Sequence, residues 1–232
     1  MGLREKANRL DLREQAKKVV YRSPYIPLMK PRYQYKVNPG QLAQLVNFID
    51  STRGTDAALI EVGVAQGDTS VFLLEHLKTT GDPRPLICMD TFSGFTDESI
   101  QVEIDLRGKE ASDEHGAFEY GDQDIFRRNL ESLGYSNFEI VEGDASAFDW
   151  QSFGSIGCVL LDIDLYQPTK EILDAAFPLL APGGGIVVDD CLPDTTWDGS
   201  LQAYEEFIVA NGMEPERAGE KGAVVRGAVP TS

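Results

Sequence analysis

Residues 159–190, VLLDIDLYQPTKEILDAAFPLLAPGGGIVVDD, constrain the fold more than any other stretch. Val159, Leu160 and Leu161 form an apolar run too short for a helix, and Ile186, Val187 and Val188 form a second one rich in β-branched residues. Between them Ile172, Leu173, Ala176, Phe177 and Leu180 recur at helical spacing, with Thr169 as the expected N-cap and Pro182-Gly183-Gly184-Gly185 as the expected stop. This is the pattern of a strand–helix–strand crossover. A connection of this length joins parallel strands, so both runs end at the same edge of one sheet.

Each run ends in aspartate, which brings Asp162, Asp189 and Asp190 to one rim, with Asp164 just beyond. Ligands of open α/β sheets bind at that rim. Carboxylates gathered there repel one another unless a cation or shared protons compensate, and hard oxygen ligands favour Mg²⁺ or a similar divalent ion. The plainer alternative is that one aspartate caps a helix while the others are solvated.

At 232 residues and 42% hydrophobic content the chain can bury one sizeable core. Residues 1–55 read as an N-terminal extension with a first helix, and residues 56–232 as the main domain, with 96–124 as an inserted lid. The formal charge of −17 argues against nucleic acid as a partner and against an anionic membrane surface. Small or metal-masked ligands fit better. Cys88, Cys158 and Cys191 are odd in number, and the first two fall in apolar runs, as expected of buried thiols in the reducing cytoplasm. The opening MGLREKANRLDLREQAKK lacks the apolar core of a secretion signal, and Lys6 stands where myristoylation of Gly2 needs a hydroxyl residue. No stretch is long enough to span a membrane.

From the start, Leu3–Val20 reads as a charged amphipathic helix that docks on the domain or on a second copy of the chain. Residues 21–39 carry four prolines and four tyrosines and read as an extended aromatic segment, either a pocket wall or a packed linker. Pro39–Ser51 is the first helix of the domain. Ala57–Val62 is the first core strand and runs into Glu61-Val62-Gly63-Val64-Ala65-Gln66-Gly67-Asp68, followed by a helix over Thr69–Lys78. Gly63 and Gly67 permit a tight turn and the close approach of a ligand to a helix N-terminus. The spacing is not the G-x-G-x-x-G of a dinucleotide site.

The second strand, Leu86–Met89, ends at Asp90, placed to accept ribose hydroxyls. The third, Phe138–Val141, ends in Glu142-Gly143-Asp144-Ala145, with Asp144 placed for an adenine or for neighbouring backbone. Each acid alone is commonly a turn or cap residue. At three successive strand ends they outline an adenosine-shaped site.

These residues carry a resemblance. The glycine loop, Asp90, Gly143-Asp144 and the Leu180-Ala181-Pro182-Gly183-Gly184 turn resemble a class I S-adenosylmethionine-dependent methyltransferase. Within that class, Asp90-Thr91-Phe92-Ser93-Gly94-Phe95, Asp162-Ile163-Asp164-Leu165-Tyr166 and Asp189-Asp190 resemble the macrocin O-methyltransferase family, which methylates sugar hydroxyls of natural products. The resemblance implies an α/β fold, doubly wound, with a mostly parallel seven-stranded sheet and an N-terminal helical and aromatic extension. It implies S-adenosylmethionine and Mg²⁺, or a similar divalent cation, as cofactors, and a small hydroxylated molecule as acceptor.

By the same resemblance Glu61, Gly63 and Gly67 surround the methionine part of the cofactor, Asp90 meets the ribose and Asp144 the adenine. Thr69, Ser93 and Ala145 complete the cofactor-binding set, and Asp162, Asp189 and Asp190 are the metal ligands. Asp162 is preferred to Asp164 because it directly ends the apolar strand. A hydroxyl acceptor needs a base. His115, within the inserted segment, is the candidate, while His76 reads as a packing or surface residue; Asp164, a metal-bound water or no protein base are the rivals. Two other functions stay open: methylation of a catechol or other phenol, and non-catalytic adenosine binding. After the rim, Leu201–Ala210 reads as a helix, and Met213–Arg217 with Ala223–Arg226 as an antiparallel pair closing the sheet.

Overall fold

The protein, seen in a computed structural model, is described over residues 33–110, 121–193, 195 and 198–227, with Gln15 and Val19. The amphipathic N-terminal helix, most of the aromatic segment, His115 and Trp197 lie outside the described residues. One compact unit begins at Tyr35, and it includes the first helix, α1 (Pro39–Ser51), which packs on the sheet.

The remaining elements, in chain order, are β1 (Ala58–Val62), α2 (Asp68–Thr80), β2 (Leu86–Asp90), α3 (Asp97–Asp105), α4 (Gln123–Ser132), β3 (Phe138–Glu142), β4 (Ile156–Leu161), α5 (Tyr166–Ala176), β5 (Leu180–Val188), α6 (Gly199–Ala210), β6 (Glu216–Ala218) and β7 (Gly222–Arg226). They build a seven-stranded sheet in the order β3-β2-β1-β4-β5-β7-β6. The first five strands are parallel, and β7 runs antiparallel to both β5 and β6. The fold is therefore the doubly wound class I methyltransferase architecture expected from the sequence, closed by the expected C-terminal hairpin. The strand order turns between β1 and β4, and ligands of such sheets bind outside that switch point.

The period of two along each strand splits the core into two layers. Leu59, Cys88, Cys158, Leu160 and Val187 face α1, α2 and α4, whereas Ile60, Val62, Met89, Val159, Leu161 and Val188 face α5 and α6. All three cysteines are buried and unpaired. Among the described residues no helix is long and apolar enough to cross a membrane.

The crossover departs from expectation at both ends of its helix. The N-cap of α5 is Leu165, not Thr169, which lies buried in the first turn with its hydroxyl 3.3 Å from that of Ser200. The buried Glu103 carboxylate, reaching in from α3, accepts the Tyr166 N–H at 2.7 Å and replaces a local cap. At the other end Pro178, inside a 3₁₀ turn over Phe177–Leu179, follows the end of the α-helix at Ala176. Gly183, Gly184 and Gly185 consequently lie in β5 rather than in a helix stop. A Cβ on Gly185 would lie 2.2 Å from the Phe48 ring, so this glycine makes room for α1.

The inserted segment is partly helical. Thr96 caps α3 by accepting from the Ser99 N–H, and the helix packs against α5. Arg107, just beyond α3, is paired with Glu103, donates to Asp198 at 2.6 Å and to Gln202 at 2.9 Å, and lies over the Tyr166 ring.

Candidate active site

Parallel registry carries Val62, Leu161 and Val188 to the same level of the sheet. Beyond them the ladder continues for one residue: Asp162 N donates to Val62 O, and Asp189 N to Leu161 O, each at 2.9 Å. The chain then turns through left-handed backbone at Asp164 (φ 62°) and Asp190 (φ 51°), a region that aspartate tolerates better than most residues. The result is a tight triangle in which Asp162, Asp164 and Asp190 offer oxygens within 4.8 Å of one another.

Burial pushes Asp162 well above the usual carboxylate range, helped by the charges of Asp189, Asp164 and Asp190. Burial does the same to Asp164, together with its hydrogen bond to Asp190. Asp164 is 8% exposed, and its Oδ1 has no hydrogen-bond partner among the described residues. A buried, unsatisfied carboxylate oxygen beside two more acids fits a hard divalent cation.

Asp189 is held differently. Its Oδ1 accepts from Gln41 Nε2 at 2.6 Å and its Oδ2 from Lys221 Nζ at 2.7 Å, so both oxygens are already engaged. The triangle includes Asp164, which the sequence placed second to Asp162, while Asp189 lines the cavity beside it. Lys221 also reaches Asp190 Oδ1 at 2.6 Å. Burial works against its ammonium, but the charges of Asp189 and Asp190 outweigh it and raise its pKa above the ordinary lysine value.

These groups line one wall of a cavity of about 510 Å³ whose other walls come from the tips of β1, β2 and β3. Gly63 (φ 83°) lies against the Asp162 carbonyl, where a Cβ would come within 1.8 Å. Asp90 Oδ2 accepts from the N–H groups of Val64 (2.8 Å) and Ala65 (3.2 Å), and its Oδ1 from Phe92 N (2.8 Å). The second-strand acid thus braces the glycine loop while also lining the cavity. Asp144 Oδ1 accepts from Ser146 N at 2.9 Å, and Asp144 and Ala145 form the β3 side of the cavity.

Glu61 lines the floor with Oε2 buried and unpartnered among the described residues, and burial, with Asp90 nearby, raises its pKa to about 8. A polar group deep beside a glycine loop suits the amino end of a bound ligand. Thr69 also lines the cavity. Gly67 and Ser93 do not: Gly67 packs against the Phe126 ring, and Ser93 is exposed with its N–H on Thr91 Oγ1. His76 faces Asp50 at 2.9 Å, away from these walls.

Sequence reasoning missed Gln41 and Lys221. The signal for Lys221 was present, because an antiparallel strand beside β5 must begin at the rim where β5 ends, and Lys221 is the residue just before it. Gln41 carries no such mark, as its position under Asp189 depends on how α1 crosses the sheet.

The family described as a methyltransferase domain matches residues 60–191. A curated relative from Streptomyces olivaceus, 8-demethyl-8-(2,3-dimethoxy-alpha-L-rhamnosyl)-tetracenomycin-C 4'-O-methyltransferase, is 28% identical over 152 residues. That match takes in 62% of this chain and 57% of the relative, so the chain spans little more than half the relative's length. Among solved structures, the O-methyltransferase NovP is similar with a TM-score of 0.66 at 15% identity, covering 85% of this chain and 83% of that one. CalS11, a calicheamicin methyltransferase, has a TM-score of 0.62 at 18% identity, covering 92% and 90%. At these identities the two structures speak to the fold.

Proposed function

The chain belongs to the methyltransferase-domain family, and from that premise we propose that it is an S-adenosylmethionine-dependent, divalent-cation-assisted O-methyltransferase of a small hydroxylated molecule, with a sugar of a glycosylated metabolite as the acceptor. The observation that carries this reading is a single cavity with the Gly63 loop at one side and the Asp162, Asp164 and Asp190 triangle at the other. The name of the Streptomyces relative, which modifies a rhamnosyl compound, supports the acceptor class.

In S-adenosylmethionine the methyl group is already activated on a sulfonium, which leaves the protein the tasks of alignment and proton removal. Gly63, Glu61 and Thr69 are proposed to hold the methionine end, Asp90 the ribose and Asp144 with Ala145 the adenine. Asp90 does this while keeping Val64 and Ala65 in place, so donor binding and loop geometry are coupled through one carboxylate.

Asp162, Asp164 and Asp190 are the proposed ligands of Mg²⁺ or a similar ion, which supplies Lewis acidity toward the acceptor hydroxyl. Asp189 then serves from behind, tied by Gln41 and Lys221. His115, in the segment outside the described residues, is proposed to take the acceptor proton, since Asp164 is committed to the cation in this reading.

The test is transfer of a labelled methyl group to glycosides and to catechols carrying neighbouring hydroxyls, with and without a chelator. The proposal expects transfer to the glycosides that the chelator abolishes and Mg²⁺ restores. Transfer to catechols alone would identify a phenol methyltransferase instead. Donor binding with no transfer to any acceptor and no cation effect would make the chain an adenosine-binding module.

A further inference from the structure

Lys221 is placed by backbone as well as by charge. It precedes β7 in the turn that leaves β6, and its carbonyl accepts the Cys191 N–H at 2.7 Å, immediately beyond Asp190. The turn is pressed against the start of α1, since a Cβ on Gly40 would lie 2.7 Å from Gly219 N and one on Gly222 would lie 2.4 Å from Gln41 Cγ. From this anchored turn the ammonium extends into the cavity wall, with 20% of the side chain exposed, and bridges Asp189 Oδ2 and Asp190 Oδ1.

Asp190 is thereby shared. It belongs to the acidic triangle and also carries an ion pair to a fixed cation. Asp189 has no such conflict, because its two oxygens face Gln41 and Lys221. The triangle is more than a group of acids, since Asp164, which lines the same cavity, is buried with one carboxylate oxygen unpartnered among the described residues. A divalent ion there would sit within a few ångströms of a fixed positive charge, where repulsion is weakly screened.

We propose that Lys221 is a built-in competitor for the divalent cation: it neutralises Asp190 in the empty site and sets the affinity of the acidic triangle by opposing ion entry. This rests on the reading of Asp162, Asp164 and Asp190 as the cation site and adds a residue outside that set. The left-handed backbone of Asp190 and its place within 4.8 Å of Asp162 and Asp164 set it at the triangle beside the ammonium. Charge, not geometry, is therefore the expected effect.

The experiment is a calorimetric or spin-resonance titration of the full chain with Mn²⁺ at pH 8, on wild type, Lys221→Met, Lys221→Gln and Lys221→Arg, with circular dichroism confirming each fold. Lys221→Met and Lys221→Gln are expected to bind Mn²⁺ at least about tenfold more tightly than wild type, and Lys221→Arg to stay near the wild-type value. Asp164→Asn should abolish binding on the wild-type and Lys221→Gln backgrounds alike. Unchanged or weaker binding by both neutral variants, with Asp164→Asn still losing the ion, would overturn the role of Lys221 alone. Tight Mn²⁺ binding that survives Asp164→Asn, or no binding by any variant, would overturn the cation site and this inference with it.

Discussion

Gln41 Nε2 and Asp189 Oδ1 are 2.6 Å apart across 148 positions of sequence, both residues being almost wholly buried. This bond ties the first helix of the domain to the tip of β5. Burial, together with the charge of Asp190, raises the pKa of Asp189, so each donor that faces it matters. Gln41→Leu removes a donor from a buried carboxylate and is expected to cost about 1–3 kcal/mol. Urea denaturation at pH 8 measures it.

Arg107 and Glu103, one helical turn apart, form a second brace by reaching Asp198 and Tyr166 respectively. Their side chains are 6% and 2% exposed, and Glu103 also holds the Tyr166 N–H at the start of α5. Arg107→Met leaves Glu103 without its cation and is expected to destabilise by about 3 kcal/mol. Glu103→Gln with Arg107→Met should recover part of that loss. A double-mutant cycle in thermal denaturation checks the coupling.

Much of this architecture is legible in the chain itself. The runs ending at Leu161 and Val188 are β-branched or bulky, short and bounded by acids, and parallel pairing then follows from connection length. The positions that escaped depend on partners remote in sequence. Thr169 looks like a cap because caps are usually local, whereas Glu103 supplies the contact from another helix. Asp189 is marked by its place at the end of a strand, whereas the Gln41 and Lys221 contacts to its oxygens come from α1 and from the turn before β7, which nothing local announces. Gly183–Gly185 look like a stop because the Phe48 ring that requires Gly185 lies on α1.

Gly185 gives a direct test of that last point. Gly185→Ala should be destabilised by roughly 1–3 kcal/mol through overpacking, and Phe48→Leu on the same chain should relieve part of the clash. Thermal melts of the two single variants and the double variant decide it. Additive losses would mean that the two positions do not meet.

The acid pocket predicts a pH dependence. Burial raises Glu61 from its model-compound value of 4.5 to about 8, so the folded state holds a proton that the unfolded chain releases. Its contribution to stability is therefore fully present below about 4.5 and is lost as pH rises through about 8. Asp162, Asp164 and Asp189 shift in the same direction. Melting temperature should fall between pH 5 and pH 9 in the absence of divalent cations. Glu61→Gln should flatten that fall, while an unchanged slope would show that Glu61 is not the titrating group.

The central claim is that donor and cation share one cavity, with the ion held by the acidic triangle rather than by Asp189. Anomalous diffraction from a crystal soaked with S-adenosylhomocysteine and Mn²⁺ tests it most directly. The account predicts a manganese peak ligated by Asp162, Asp164 and Asp190, beside a nucleoside lying against Asp90 and Asp144. A peak ligated by Asp189 with Asp164 turned away, or a bound nucleoside with no manganese beside it, would contradict it.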